Sequence, residues 1–239
     1  MRVLLLGGTT EARQLAPMLR DLGHEVTVSL AGVTETPGDY GAPTRRGGFG
    51  GVGGLQHWLS EQRIDALIDA THPFADQMPS NAAQAAKALG LPRLRLCRPA
   101  WQAAPHWQQH ASLVDAVSKI PADARVLATT GQDQLEPYCS RSDLMIWLRV
   151  IEDPGTLPAH IRVLRARPPF SIDEETDLLK SNVITHLTTK NSGGGRTKLD
   201  AADALGVKVH IIARPAPPPG PLVETSAGAV AWLKQVAPS

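Results

Sequence analysis

Two cysteines, Cys97 and Cys139, are all that 239 residues contain, and no CxxC or metal-ligand spacing joins them. A disulfide framework is thereby excluded, no metal site is indicated, and the composition fits a reducing compartment. Long apolar runs are missing too: nothing approaches the roughly 20 residues of a membrane span. The opening Met1–Leu6 runs into Gly7-Gly8 and is far too short for a signal peptide. The chain is therefore expected to be soluble and cytoplasmic. Charge of one sign is also lacking. With Lys+Arg 24 against Asp+Glu 23, the net charge of +1 sets up no overall field toward nucleic acid or a membrane. An anionic ligand must be met by local clusters, and arginine, which outnumbers lysine here, suits bidentate binding of carboxylate or phosphate.

Several catalytic signatures are absent. There is no HExxH, no GxSxG and no GxxxxGK[ST], so zincin, serine-hydrolase and P-loop ATP chemistry are disfavoured. Neither Tyr40 nor Tyr138 is followed four residues on by Lys, which removes the YxxxK proton relay and disfavours a nucleotide-sugar epimerase or dehydrogenase. Hydride transfer needs none of these, because the cofactor carries the chemistry and the protein supplies orientation and electrostatics.

What remains is an alternation of short apolar runs with amphipathic stretches, the pattern of βαβ units and a mainly parallel sheet. The spacing predicts strands over Arg2–Leu6, Glu25–Leu30, Asp65–Ala70 and Arg93–Cys97, with helices over Thr10–Leu22, Gly51–Gln62 and Asp76–Leu89. After a polar stretch holding Trp101, Trp107 and His110, it predicts strands over Arg125–Ala128, Leu144–Val150, Val183–Leu187 and Val207–Ala213. Helices are expected over Leu113–Lys119, Asp173–Lys180, Lys198–Leu205 and Thr225–Val236, and the proline run Pro215–Pro221 excludes regular structure. We divide the chain near residue 100. Residues 1–100 and 101–239 are expected to form two Rossmann-like α/β domains with mainly parallel sheets facing a central cofactor and substrate cleft. Ligands of such sheets bind beyond the carboxyl ends of the strands.

Four loops stand at those ends. Gly7-Gly8-Thr9-Thr10-Glu11 opens a helix directly after a strand, so backbone N–H groups and the helix dipole point at whatever lies there. It is not GxGxxG, and Glu11 would repel a pyrophosphate seated in that first turn. Either it compensates the dipole or it bonds ribose hydroxyls. A second strand specific for NAD usually ends in an acid; this one ends Ser29-Leu30-Ala31, with Arg45-Arg46 following, which favours the 2′-phosphate of NADP(H) over a merely solvated basic turn. Thr71-His72-Pro73-Phe74-Ala75 puts a histidine at a strand end, where it either makes a structural hydrogen bond or donates to a ligand oxygen. Thr188-Thr189-Lys190-Asn191-Ser192-Gly193-Gly194-Gly195-Arg196 reads as an anion cradle, with Thr129-Thr130-Gly131-Gln132 a weaker partner in the same half. The candidate cofactor contacts are thus Gly8, Thr9, Thr10, Glu11, Arg46, Thr130, Gly131, Gln132, Lys190, Asn191, Ser192, Gly193 and Gly194.

The segments Gly7-Gly8-Thr9-Thr10-Glu11-Ala12, Arg46-Gly47-Gly48, Asp69-Ala70-Thr71-His72-Pro73-Phe74-Ala75, Arg98-Pro99-Ala100-Trp101, Thr129-Thr130-Gly131, Lys190-Asn191-Ser192-Gly193 and Arg214-Pro215 resemble, in order, the motifs of the precorrin-6A reductase family of cobalamin biosynthesis. The resemblance spans nearly the whole chain and departs from the family pattern at Pro168, where Gly is common, and at Asn191, where Glu is common. It implies an NADPH-dependent reduction of one ring double bond of precorrin-6A, with no nucleic acid or membrane partner and transient contact with neighbouring pathway enzymes. Arg45, His72, Arg98, Arg149 and Arg214 are the candidates for meeting the carboxylates of such a tetrapyrrole. The sister reductase of the cobalt-first route and a non-catalytic NADP-binding module are the rival readings.

Overall fold

The computed structural model describes residues 1–31 and 38–237. Strand β1 (Arg2–Leu6) is buried at four of its five positions. A strand with helices over both faces has no polar side to show, so it reads as an unbroken apolar run. Helix α1 (Thr10–Asp21) follows. Thr9 caps it by accepting the Ala12 N–H at its hydroxyl, and Ala12, Leu15, Ala16 and Leu19 make the buried stripe at helical spacing. Gly23, at φ +82°, turns the chain out of the helix in a conformation that disfavours any side chain.

The same alternation continues through β2 (Glu25–Leu30), β3 (Thr44–Arg46), α2 (Gly51–Glu61), β4 (Ala66–Asp69), α3 (Gln77–Leu89) and β5 (Arg93–Leu96). Then come β6 (Gln108–His110), α4 (Leu113–Ser118), β7 (Arg125–Thr129), α5 (Glu136–Cys139), β8 (Met145–Val150) and β9 (Ile161–Arg165). The last elements are α6 (Ile172–Ser181), β10 (His186–Lys190), α7 (Thr197–Ala204), β11 (Lys208–Ile212), β12 (Leu222–Val223) and α8 (Ser226–Val236). Two six-stranded sheets result, ordered β12-β5-β4-β1-β2-β3 and β6-β11-β10-β7-β8-β9. Every described pairing is parallel. Taken from its β3 edge, the first has the 3-2-1-4-5-6 order of a doubly wound dinucleotide fold. In the second, β9-β8-β7-β10-β11 repeats that order, and the sixth place is filled by β6, which precedes the others in the chain. Each sheet therefore has one point where the winding reverses, between β1 and β4 in the first and between β7 and β10 in the second.

The division of the chain corrects the sequence reading. One unit is Met1–Pro99 together with Pro215–Ser239, and the other is Ala100–Arg214. The closing segment, expected in the second domain, returns to the first because β12 extends that sheet beside β5. Helix α8 then sets Ala229 and Leu233 into the core that holds Val3, Leu5, Leu94 and Leu96. The stretch read as polar contributes to the core: Trp101 and Trp107 pack with Leu127, Trp147 and Leu187. Finally, the strand expected over Val183–Leu187 lies three residues later. Val183 N–H bonds to Lys180 O and Ile184 N–H to Leu179 O, so these residues close the end of α6, and Thr188, Thr189 and Lys190 become strand.

One face of the second sheet carries an unusual load of buried polar groups. His110 Nδ1 lies 3.1 Å from Asp115 Oδ2 and its Nε2 3.0 Å from His210 Nδ1. The His186 ring stands 5.4 Å from that of His210, whose Nε2 is buried without a hydrogen-bond partner. Burial first, then neighbouring His186, His110 and Lys208, lower His210 from 6.5 to about 4. Burial and Lys208 also lower His186. A folded-state value below the unfolded one means that the unfolded chain takes up the proton first as pH falls. Stability should therefore be full above about pH 6.5, decline as pH drops toward 4, and lose about 2–4 kcal/mol on that account. Chemical denaturation across that range checks it, and His210→Phe should remove most of the decline between pH 6.5 and about 5.

Candidate functional site

At the carboxyl edge of the first sheet the loops after β1 and β4 stand side by side. Thr9 Oγ1 donates to Ala70 O at 2.8 Å while it caps α1, so this side chain ties the two loops together and is committed to the fold. Gly8 N–H donates to the Tyr40 hydroxyl at 3.1 Å. Thr10 Oγ1 accepts from Arg13 at 3.1 Å. Glu11, in the first turn of α1, pairs with Arg98 at 2.9 Å. One expected cofactor contact and one expected substrate contact thus neutralise each other. Gly8, at φ +115°, has nothing within 4 Å of where a Cβ would project, which leaves its backbone open to close approach.

The loop after β4 is held from beneath. Asp69, fully buried at the end of β4, forms an ion pair with Arg95 at 2.6 Å. Its Oδ1 also accepts Thr71 N–H at 3.1 Å and Thr71 Oγ1–H at 2.8 Å. His72, exposed at the edge, accepts the Phe74 N–H at Nδ1 at 3.2 Å. A neutral ring with Nδ1 as acceptor carries its proton on Nε2 and is a donor there.

At the carboxyl edge of the second sheet, Thr130 Oγ1 meets the Tyr138 hydroxyl at 3.1 Å, and that hydroxyl meets Thr188 Oγ1 at 2.6 Å. Burial raises Tyr138 to about 12, against the lowering effect of the two threonines, so the phenol stays protonated. Thr130 therefore serves the core, and only its backbone remains for a ligand. Gly131, at φ +81°, again has nothing within 4 Å of a projected Cβ. Gln132, Lys190 and Ser192 are half-buried, Gly193 is buried and Gly194 exposed. Burial lowers Lys190, with Asp133 opposing that shift. Asn191 is a different matter. Its Oδ1 accepts Trp101 N–H at 2.8 Å, its Nδ2 donates to Trp101 O at 3.1 Å, and its own carbonyl accepts from Arg214 at 2.6 Å. Only an amide both gives and takes in this way. The Asn191 side chain, expected as a cofactor contact, is thus engaged with the Trp101 backbone.

Two of the expected substrate arginines are also structural. Arg45 donates to Ser29 Oγ at 2.7 Å and to the carbonyls of Gly47 and Gly48 at 3.0 Å each, with its guanidinium over the Phe49 ring. It shapes the glycine loop and corrects the expectation of a basic turn offered to ligand. Arg149 grips Glu175 with both nitrogens, at 2.7 and 2.6 Å, and lies over the Phe170 ring. Arg46 sits exposed on β3. Sequence reasoning missed Asp69, Arg95, Tyr40 and Tyr138. A charged residue inside a four-residue apolar strand is the signal that marks Asp69, and the alternating Arg93-Leu94-Arg95-Leu96 marks its partner.

Two doubly wound parallel sheets, each with glycine-bearing loops at its point of reversal, define a protein of the dinucleotide-binding class. Residues 2–234 match the model of the precorrin-6x reductases CbiJ/CobK, and the chain belongs to that family, which serves cobalamin biosynthesis. It is 43% identical over 240 residues to a precorrin-6A reductase of Rhodococcus erythropolis, covering 97% of each chain. A solved CobK precorrin-6A reductase is 40% identical, with a TM-score of 0.94 over 99% of this chain and 97% of that one. A cobalt-precorrin-6A reductase of Priestia megaterium is 24% identical, covering 89% of this chain and 90% of its own. A reductase of this family acts on a ring C=C and implies a nicotinamide cofactor. The open backbone at Gly8 and Gly131 and the cationic, hydroxyl-bearing edge at Lys190 and Ser192 fit such a phosphate-bearing group.

The Arg149–Glu175 pair, with side chains 10% and 2% exposed, is expected to act on stability rather than on ligand. Arg149→Met strands a buried carboxylate and should cost about 3–5 kcal/mol, while Arg149→Met with Glu175→Leu should recover most of that loss. Urea denaturation checks it, with substrate KM unchanged in both variants.

Proposed function

We propose that this chain reduces a ring double bond of precorrin-6A with NADPH as the electron source. The observation that carries the reading is the family match over residues 2–234, and the glycine-bearing loops at the points of reversal support it. Bound NADPH supplies the hydride. Around it, Lys190 and Ser192 would hold phosphate oxygens, with the open space at Gly131 beside β7. Arg46 would meet the 2′-phosphate, since β2 ends Ser29-Leu30-Ala31 without an acid to favour the bare ribose hydroxyl.

Toward the tetrapyrrole, His72 acts as an Nε2–H donor to a carboxylate or ring oxygen. No described side chain has the surroundings of a general acid. The proton that follows the hydride is assigned to water or to the substrate's own carboxyl groups, with the protein setting geometry. The cobalt-free macrocycle is the favoured substrate because the identity to the named precorrin-6A reductase, 43%, far exceeds the 24% to the named cobalt-precorrin-6A reductase. NADPH oxidation measured anaerobically with precorrin-6A and, separately, its cobalt complex tests this. Turnover of the cobalt complex alone, or of neither, overturns the reading, and the second result would leave a binding module.

Two outcomes follow for the cofactor. Lys190→Ala should weaken NADPH binding roughly 5- to 100-fold, the loss of one charge-assisted bond, while the melting temperature without cofactor stays within a few degrees of wild type. NADPH should bind at least about tenfold more tightly than NADH, and Arg46→Ala should narrow that ratio, as titrations of the two cofactors will show.

A further inference from the structure

The network under the loop after β4 is larger than its packing needs. Arg95, whose side chain is 4% exposed, reaches past Asp69 and donates to Thr71 Oγ1 at 2.7 Å and to His72 O at 3.2 Å. Asp69 accepts both the N–H and the hydroxyl of Thr71. The second carboxylate oxygen, Asp69 Oδ2, is buried with no hydrogen-bond partner, so all the described bonds to this carboxylate run through Oδ1 toward the loop. Arg93 lies close enough for Asp69 to raise its pKa against the larger lowering by burial. Arg93 is anchored on the other side by Pro219 O at 2.7 Å, and a side chain at Gly220, whose φ is +139°, would meet its guanidinium. A buried ion pair is weak evidence for stability, because desolvation of two charges offsets their attraction. Its directional bonds, by contrast, fix geometry.

We propose that Asp69 and Arg95 are positioning residues for substrate binding, acting through the Thr71 hydroxyl to hold His72 where its Nε2–H meets the tetrapyrrole. The bonds divide the labour. Arg95 fixes the loop's backbone at the His72 carbonyl, Thr71 links the pair to the chain, and the Phe74 N–H fixes the ring's tautomer. A rigid hydroxyl-centred junction of this kind keeps the donor aimed without His72 itself being buried, which a surface-edge residue otherwise achieves only by ordering on binding. The inference rests on the reading of His72 as a substrate contact, and the experiment separates the two.

Substitutions at Asp69 or Arg95 leave a buried charge unpaired and threaten the fold. Thr71→Val, nearly isosteric, removes only the linking hydroxyl, and Thr71→Ser restores it. Equilibrium titration of precorrin-6A by absorbance, without cofactor, reads the effect directly, with NADPH affinity and melting temperature measured alongside. Thr71→Val should weaken precorrin-6A binding roughly 5- to 30-fold with NADPH affinity unchanged, and Thr71→Ser should bind as wild type. In a His72→Ala background, Thr71→Val should add nothing, because its effect is exerted through that ring. Wild-type binding by Thr71→Val, equal weakening by Thr71→Ser, or effects that multiply in the double variant would each overturn the positioning role while leaving His72 a substrate contact. Wild-type binding by His72→Ala would instead remove that contact, and the inference with it.

Discussion

A parallel sheet wound in both directions from its middle must separate two neighbouring crossovers at one place, and the loops after β1, β4, β7 and β10 lie there. The helices after β1 and β4, and those after β7 and β10, leave on opposite faces, so the loops between strand and helix splay apart at the carboxyl edge. Backbone N–H groups that no strand partner claims point into that gap. The constraint is topological and therefore indifferent to which side chains occupy the loops. It explains why two units with different sequences, different helix lengths and differently sourced sixth strands offer the same kind of edge.

Side chains at such an edge face two ways, and the sequence does not say which. Thr9, Thr130 and Asn191 have the residue types of ligand contacts, yet each turns its polar atoms to the protein: capping α1, closing the Tyr138–Thr188 network, or gripping Trp101. Arg45 and Arg149 do likewise. A short polar side chain at a strand end meets a dense set of unsatisfied backbone groups before it meets any ligand, so satisfying the fold comes first. What stays open is the space beside glycines such as Gly8 and Gly131, where no Cβ intervenes. Glycine positions therefore mark open space at the edge, whereas hydroxyl and amide residues there serve the fold.

The fold was legible where hydrophobic period and breaker agreed. Strands β1, β2, β4, β5, β7, β8 and β11 and helices α1, α2, α3, α4, α6, α7 and α8 were all legible to within a few residues. Apolar runs such as residues 3–6 mark the strands, but the helix ends needed Gly23, Gly90 and Gly206, each at positive φ, to close them. Apart from the register of β10 and the short α5, what was not legible shares one cause. Strands β3, β6, β9 and β12 are edge strands of two to five residues, half-solvated and free to be polar, so sequences such as Thr-Arg-Arg or Gln-Gln-His carry no apolar pattern. The return of residues 215–237 to the first unit was hidden for the same reason. The element that announces it is a two-residue strand after a proline run, and the apolar face of α8 is compatible with either core.

The loop that ends β10 also governs how the chain enters and leaves the second unit. Trp101, two residues after the first crossing, is bound through its backbone to the Asn191 amide and through its indole N–H to Gly194 O at 2.8 Å. Arg214, the last residue before the second crossing, donates to Asn191 O. Asn191 N–H in turn bonds to Ile212 O, so both crossings are registered against a single residue on a single strand end. An amide suits this junction better than a carboxylate would. A carboxylate accepts the Trp101 N–H but has nothing to offer the Trp101 carbonyl, and the resulting buried acceptor would go unmet. The amide satisfies both, and in doing so makes the position of Lys190 and Ser192, its immediate neighbours, a property of the same junction that fixes the two linkers.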